Sequence, residues 1–214
     1  MKKVGLMIPK TNLTVEYELQ YLLYNHYFNN DDIVFYTTKL GYNTSYKVNK
    51  EQYLKEIAED SIRKIKDLEY LNVDYISFFC TSSAIINSEI VIENNPSRAL
   101  IESANRNQIK KCLLITPYNN ALGHKVRKEL EKNNIIVVRM LNLDLLNTTD
   151  YFNFGINNLE KYIIDNFKKE DENIIVSCTN LPTLSVIKNI KSKYDIKIIS
   201  SNSSLFEKIK NDLK

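Results

Sequence analysis

The chain is poor in the residues that bend a backbone. Only 4 glycines and 4 prolines occur in 214 residues, against an average usage of roughly 7% and 5%. That scarcity excludes collagen-like, linker-rich and multi-bladed β architectures, all of which need many turns. Charge of one sign is also lacking: 29 basic and 26 acidic residues leave a net +3, and the basic residues are scattered. No electrostatic footprint for nucleic acid or an anionic membrane is present. No run approaches the roughly 20 apolar residues that cross a bilayer. The opening Met1–Pro9 is basic and then apolar, but its apolar part is shorter than the roughly 7–15 residues of a signal core, so a first β-strand is expected there. Histidine is nearly absent. His26 and His124 stand in unlike settings without ligand spacing, and no metal site is expected. Three widely spaced cysteines, Cys80, Cys112 and Cys178, are too few and too uneven for a disulfide framework. They fit reduced thiols in a cytoplasmic protein.

What is present is a core. At 43% hydrophobic and 26% charged, the composition is that of a globular domain. Short apolar runs at Val4–Ile8, Ile33–Tyr36, Val73–Phe79, Cys112–Thr116, Ile135–Arg139, Ile174–Ser177 and Ile196–Ser200 alternate with helix-period segments. Several runs show no alternation, as parallel strands covered on both faces require. Residues 51–70 form the clearest helix, with Leu54, Ile57, Ala58, Ile62, Ile65 and Leu68 three or four apart. Asn95-Pro96 marks a helix start. Thr149 or Asp150 is expected to cap a helix carrying Leu159, Tyr162, Ile163 and Phe167. Glu16 is read as a capping-box residue, Tyr17, Tyr21, Tyr24 and Tyr27 as a packing face, and Lys168–Glu172 as a solvated helix end. The class is α/β.

The order of elements repeats. Lys2–Pro9 is answered by Lys110–Pro117, and in both a basic pair opens an apolar strand, proline ends it, and asparagine stands three further on (Asn12, Asn120). Tyr75–Ser82 is answered by Asn173–Asn180. Two lobes are therefore expected: residues 1–108, joined by a C-terminal helix over 201–214, and residues 109–200.

Each half ends an apolar run with Cys-Thr. In parallel α/β sheets ligands sit beyond the carboxyl ends of strands. A thiol there, just before a helix start, is expected to meet free backbone N–H groups and to have a lowered pKa. Thr81, Ser82, Thr179 and Asn180 add short polar donors suited to a carboxylate. Cysteine is also a small buried hydrophobe, and Cys112, inside a strand, is assigned to packing. Two thiols in matched contexts point instead to paired acid/base chemistry on one substrate.

These residues carry a resemblance. Pro9–Glu16, Cys80-Thr81-Ser82-Ser83, Thr116-Pro117-Tyr118, Ser177–Thr183 and Ile198–Asn202 together resemble the aspartate/glutamate racemase superfamily, in particular its maleate cis–trans isomerase and arylmalonate decarboxylase branch. The resemblance implies two pseudo-symmetric lobes, each with a parallel sheet flanked by helices, and an active site between them. It implies no metal, pyridoxal or nucleotide cofactor, and a small carboxylate as substrate. Carried over, Cys80 is the nucleophile and Cys178 the acid/base. Asn12 and Tyr118 match carboxylate-binding residues. Asn147 matches a further family asparagine, with Asn142 as the neighbouring alternative. Decarboxylase-like members put glycine at the first cysteine position, so Cys80 favours isomerase or racemase chemistry. Lys10 stands where the branch has a small residue, and the chain is short for it. The glycine-containing opening of amino-acid racemases is replaced by Ile8-Pro9-Lys10-Thr11-Asn12. Two rivals stay open: an aspartate- or glutamate-type racemase working by two-base proton transfer, and a non-catalytic carboxylate sensor. The oligomeric state is left open, a homo-oligomer included.

Overall fold

The computed structural model describes residues 1–29, 32–41 and 49–214. Among these residues seven strands form two sheets, parallel throughout. The first has the order β2-β1-β3, with β1 (Lys2–Pro9), β2 (Ile33–Leu40) and β3 (Tyr75–Phe78). The second has the order β5-β4-β6-β7, with β4 (Lys111–Thr116), β5 (Ile136–Asn142), β6 (Asn173–Val176) and β7 (Lys197–Ser200). Each expected apolar run is a strand. The two answering segments, β1 and β4, are interior strands of their sheets, flanked by β2 and β3 in one half and by β5 and β6 in the other.

The strand period of two sorts β1 between layers. Val4, Leu6 and Ile8 face a core shared with α1 (Val15–Tyr24) and α9 (Ser201–Asp212), through Val15, Leu19, Leu22, Leu205, Phe206 and Ile209. Met7 faces the other core, with Leu54, Ile57 and Leu68 of α2 (Lys50–Glu69). Gly5 lies on that second face, and a Cβ there would stand 2.8 Å from Leu68 Cδ1. The second sheet is buried around Leu113, Leu114, Ile115, Ile174, Ile175 and Val176. Although α9 follows a strand of the second sheet, its apolar side belongs to the first core. The helix α4 (Pro96–Arg106) lies against it and divides its residues, with Ala99 in the first core and Leu100 and Ala104 in the second-sheet core.

With so few glycines, left-handed helix ends fall to other residues. His26, Asn72, Gln108 and Asn134 take positive φ after α1, α2, α4 and α5 (Asn120–Lys132), three of the four being asparagine or histidine, types enriched in this region among non-glycine residues. After α1, α4 and α5 the next residue's N–H closes a six-residue turn (Tyr27 to Leu22, Ile109 to Ala104, Ile135 to Leu130), which satisfies a terminal carbonyl.

Four local expectations need correction. Asn147, not Thr149 or Asp150, caps α6 (Thr148–Asn157): its side chain accepts from the Asp150 N–H, and Asp150 answers on the Asn147 N–H. The chain then breaks at Asn158, and α7 (Leu159–Asn166) is separate. Glu16 caps nothing and pairs with Lys39, while the Asn12 side chain accepts from the N–H groups of Thr14 and Val15 at the start of α1. The tyrosines do not share one packing face, because Leu19 and Leu22 occupy the inner side of α1; Tyr24 is 85% exposed and Tyr17 42%. The Lys168–Glu172 run is not simply solvated. Asp171 is fully buried and grips Arg139 of β5 through both carboxylate oxygens.

Among the described residues no helix is long and apolar enough to cross a membrane.

Candidate active site

Both thiols reach one cavity. Cys80 follows β3 and precedes α3 (Thr81–Ile86), and Cys178 follows β6. The cavity encloses about 40 Å³ and is lined by residues of both halves, among them Asn12, Tyr53, Cys80, Ser82, Tyr118, Thr148, Tyr151 and Cys178. That space holds a few water-sized groups, so it suits a small acid and not a nucleotide. All three cysteines are free, and Cys112 is fully buried inside β4.

The surroundings of the two sulfurs differ. The Ser82 hydroxyl lies 3.7 Å from the Cys80 sulfur, and the N–H groups of Ser82 and Ser83 point to it. The Asn180 N–H donates to the Cys178 sulfur at 3.3 Å, and the Tyr118 hydroxyl donates to it as well. No helix starts directly behind Cys178, since α8 (Leu184–Lys193) begins six residues later. The expected lowering of thiol pKa is overturned at both positions. Desolvation outweighs the donors, so burial pushes Cys80 up and Cys178 up to about 11. Both thiols are protonated at neutral pH, which suits a proton donor better than a resting nucleophile.

Several expected ligand groups are engaged within the protein. The Thr81 hydroxyl donates to Ser201 at 3.1 Å, and that of Thr179 to the Phe79 carbonyl at 3.0 Å. Asn180 accepts from the Leu13 N–H at 2.8 Å and from the Thr14 hydroxyl. Asn12 donates to Thr179 at 3.5 Å, so Asn12, Thr179 and Asn180 tie the halves together beside the cavity. Asn147 does not line it, because its side chain is held in the α6 cap; Thr148 and Tyr151, the next residues on that helix, line it instead. Asn142 is likewise occupied, bonded to Thr116 and Asn120.

Two charged residues escaped sequence reasoning. Lys50 opens α2, and its ammonium lies 5.7 Å from the centre of the Tyr118 ring. Glu18 is 1% exposed and accepts from the N–H groups of Thr183 and Leu184, from the Thr183 hydroxyl and from the Asn202 amide. Its signal was readable: Val15, Glu18, Leu19 and Leu22 share one helix face by spacing, and an acid on an apolar face calls for partners. Lys50 had no such signal. Among the described residues no three His, Cys, Asp or Glu side chains gather as a metal site.

No curated protein sequence matches the chain. Solved structures share the whole fold at low identity. The maleate isomerase of Pseudomonas putida S16 with maleate is 18% identical over 99% of this chain and 92% of its own, with a TM-score of 0.82. A Nocardia farcinica maleate cis–trans isomerase mutant with a covalently bound succinylcysteine intermediate is 17% identical over the same shares, also with a TM-score of 0.82. A liganded mutant of arylmalonate decarboxylase is 14% identical over 100% and 93%, with a TM-score of 0.76. These likenesses establish the two-lobed α/β fold. Residues 90–210, more than half of the chain, match the family model of arylmalonate decarboxylase, and the chain therefore belongs to the arylmalonate decarboxylase family.

Proposed function

We propose that the protein is a cofactor-independent isomerase of a small dicarboxylic acid, of the maleate cis–trans kind, with Cys80 as nucleophile and Cys178 as acid/base. Two buried thiols lining one small cavity from separate sheets carry this reading. The likeness to maleate isomerases supports it, one of them bearing a covalent succinylcysteine. Presence of a thiol at both strand ends favours isomerisation over decarboxylation.

The chemistry balances with these two groups once the Cys80 thiol has given its proton to solvent water. The Cys80 thiolate then adds to one alkene carbon of a cis-butenedioate and forms a C–S bond. The Cys178 thiol, held protonated by burial, gives its proton to the neighbouring carbon. The former double bond is now single and rotates. The Cys178 thiolate then takes a proton back from that carbon, the C–H electron pair re-forms the double bond in the trans arrangement, and the C–S pair leaves with the Cys80 sulfur. Ser82, Tyr118, Asn12 and the backbone N–H groups of the two cysteine loops are proposed to hold the carboxylates, with bonds strengthened by the dry surroundings.

Cys80→Ser and Cys178→Ser are each expected to abolish conversion of maleate to fumarate, followed by proton NMR, with circular dichroism unchanged. The Cys178→Ser protein is expected to gain the mass of one maleic acid on Cys80. Full activity in either variant overturns the two-thiol mechanism.

A further inference from the structure

We propose that Lys50 is the counter-ion for one carboxylate of the substrate and sets a preference for dianions over monoanions. This rests on the cavity being the substrate site, as proposed above. Tyr53 and Leu54 both line the cavity, and Lys50 precedes them by three and four residues on α2, so the three side chains share one helix face. From there the ammonium reaches over the ring of Tyr118, 5.7 Å from its centre and within cation–π range. Tyr118 in turn holds the Cys178 sulfur. A side chain from a helix of the first half thus arrives beside the proposed acid/base of the second.

Helix stability does not account for it. A lysine in the first turn meets the positive end of the helix dipole, where a carboxylate is preferred. Its amine is partly desolvated, which lowers its pKa, while Cys178 and Asp144 act to raise it. Among the described residues, those lining the cavity carry no charged side chain. A dianion held by neutral donors alone gains from a cation beside them, and the Lys50 ammonium stands against Tyr118, one of the lining residues.

The test compares maleate with its monoamide, maleamate, on the full chain. Calorimetric Kd values are measured in a Cys80→Ser background, and kcat/KM is measured with Cys80 intact. Lys50→Met is expected to weaken maleate by about ten- to a hundredfold, the range of a hydrogen bond to a charged group, mainly in KM. Maleamate is expected to change far less, so the dianion preference collapses, and Lys50→Arg is expected to retain it. An unchanged preference, or equal weakening of both ligands, overturns the assignment. A protein that binds maleate with a Lys50-dependent preference but forms no fumarate overturns the isomerase reading and leaves this one standing. Conversion that proceeds while Lys50→Met keeps the full preference does the reverse, and failure to bind any dicarboxylate defeats both.

Discussion

Glu18 offers the sharpest test of how the two halves are joined. Its carboxyl on α1 receives two backbone N–H groups at the start of α8, the Thr183 hydroxyl and the Asn202 amide. Asn202 also donates to the Thr179 carbonyl at 3.0 Å, beside Cys178. Burial outweighs all four donors and pushes the Glu18 pKa up from 4.5 to about 7, a change corresponding to about 3 kcal/mol. The folded protein therefore binds a proton more tightly than the unfolded chain. The stability this supplies is complete below pH 4.5 and is lost as pH rises through 7. Urea midpoints at pH 5 and pH 8 should show the native protein losing about 2–3 kcal/mol from this group. Glu18→Gln has no carboxyl to titrate, and its pH dependence should be flatter by that amount. Its amide also opposes Asn202 donor to donor, at a cost of about 1–3 kcal/mol. Parallel pH curves for the two proteins would refute the assignment of the raised pKa to Glu18.

Three further outcomes follow from packing and charge. Gly155→Ala puts a Cβ 2.4 Å from Pro182 Cδ and 2.8 Å from its backbone nitrogen; it should destabilise by about 1–3 kcal/mol in urea titration and lower turnover, because Pro182 closes the Cys178 loop. Tyr118→Phe removes a donor to the Cys178 sulfur, and alkylation of Cys178 by iodoacetamide, read by mass spectrometry, should shift to higher pH, with the thiolate fraction at pH 9 falling about tenfold; an unmoved profile contradicts it. Arg139→Met strands the fully buried Asp171 and should cost about 3–5 kcal/mol by the same urea assay, whereas a loss below 1 kcal/mol would show the pair to be dispensable.

Strand positions were legible because bare runs such as Ile174–Ser177 and Cys112–Thr116 are of strand length and fit burial on both faces of a covered parallel sheet. The matched Cys-Thr steps pointed to the cavity for the same reason, since the carboxyl ends of parallel strands leave backbone donors free. Thiol electrostatics were not legible. Spacing places Cys80 and Cys178 at strand ends, but only packing reveals that both are buried, and desolvation then reverses the sign of the pKa shift. Lys50 was hidden because its partner ring, Tyr118, stands 68 residues away in sequence, just after β4 in the other half. Asn147 was drawn to the wrong task because an asparagine before a helix serves equally as a cap or a ligand, and here the cap has it.

The repeated threonine has a physical meaning beyond supplying a donor. Thr81, next to the first-half thiol, bonds to Ser201, which follows the last strand of the second sheet. Thr179, next to the second-half thiol, bonds to the carbonyl of Phe79, which precedes Cys80. Each sulfur therefore lines the cavity while the hydroxyl one residue later is bonded away from it, that of Thr179 to the opposite half and that of Thr81 to the start of α9, the helix that leaves the second sheet and packs in the first core. The loops of the two sulfurs are tied across the halves by Thr179 on the Phe79 carbonyl, by Asn180 on Leu13 and by Asn12 on Thr179. The addition by one sulfur and protonation by the other proposed above require such fixed placement, and α9, which leaves the second sheet and packs in the first core, holds the halves together around it.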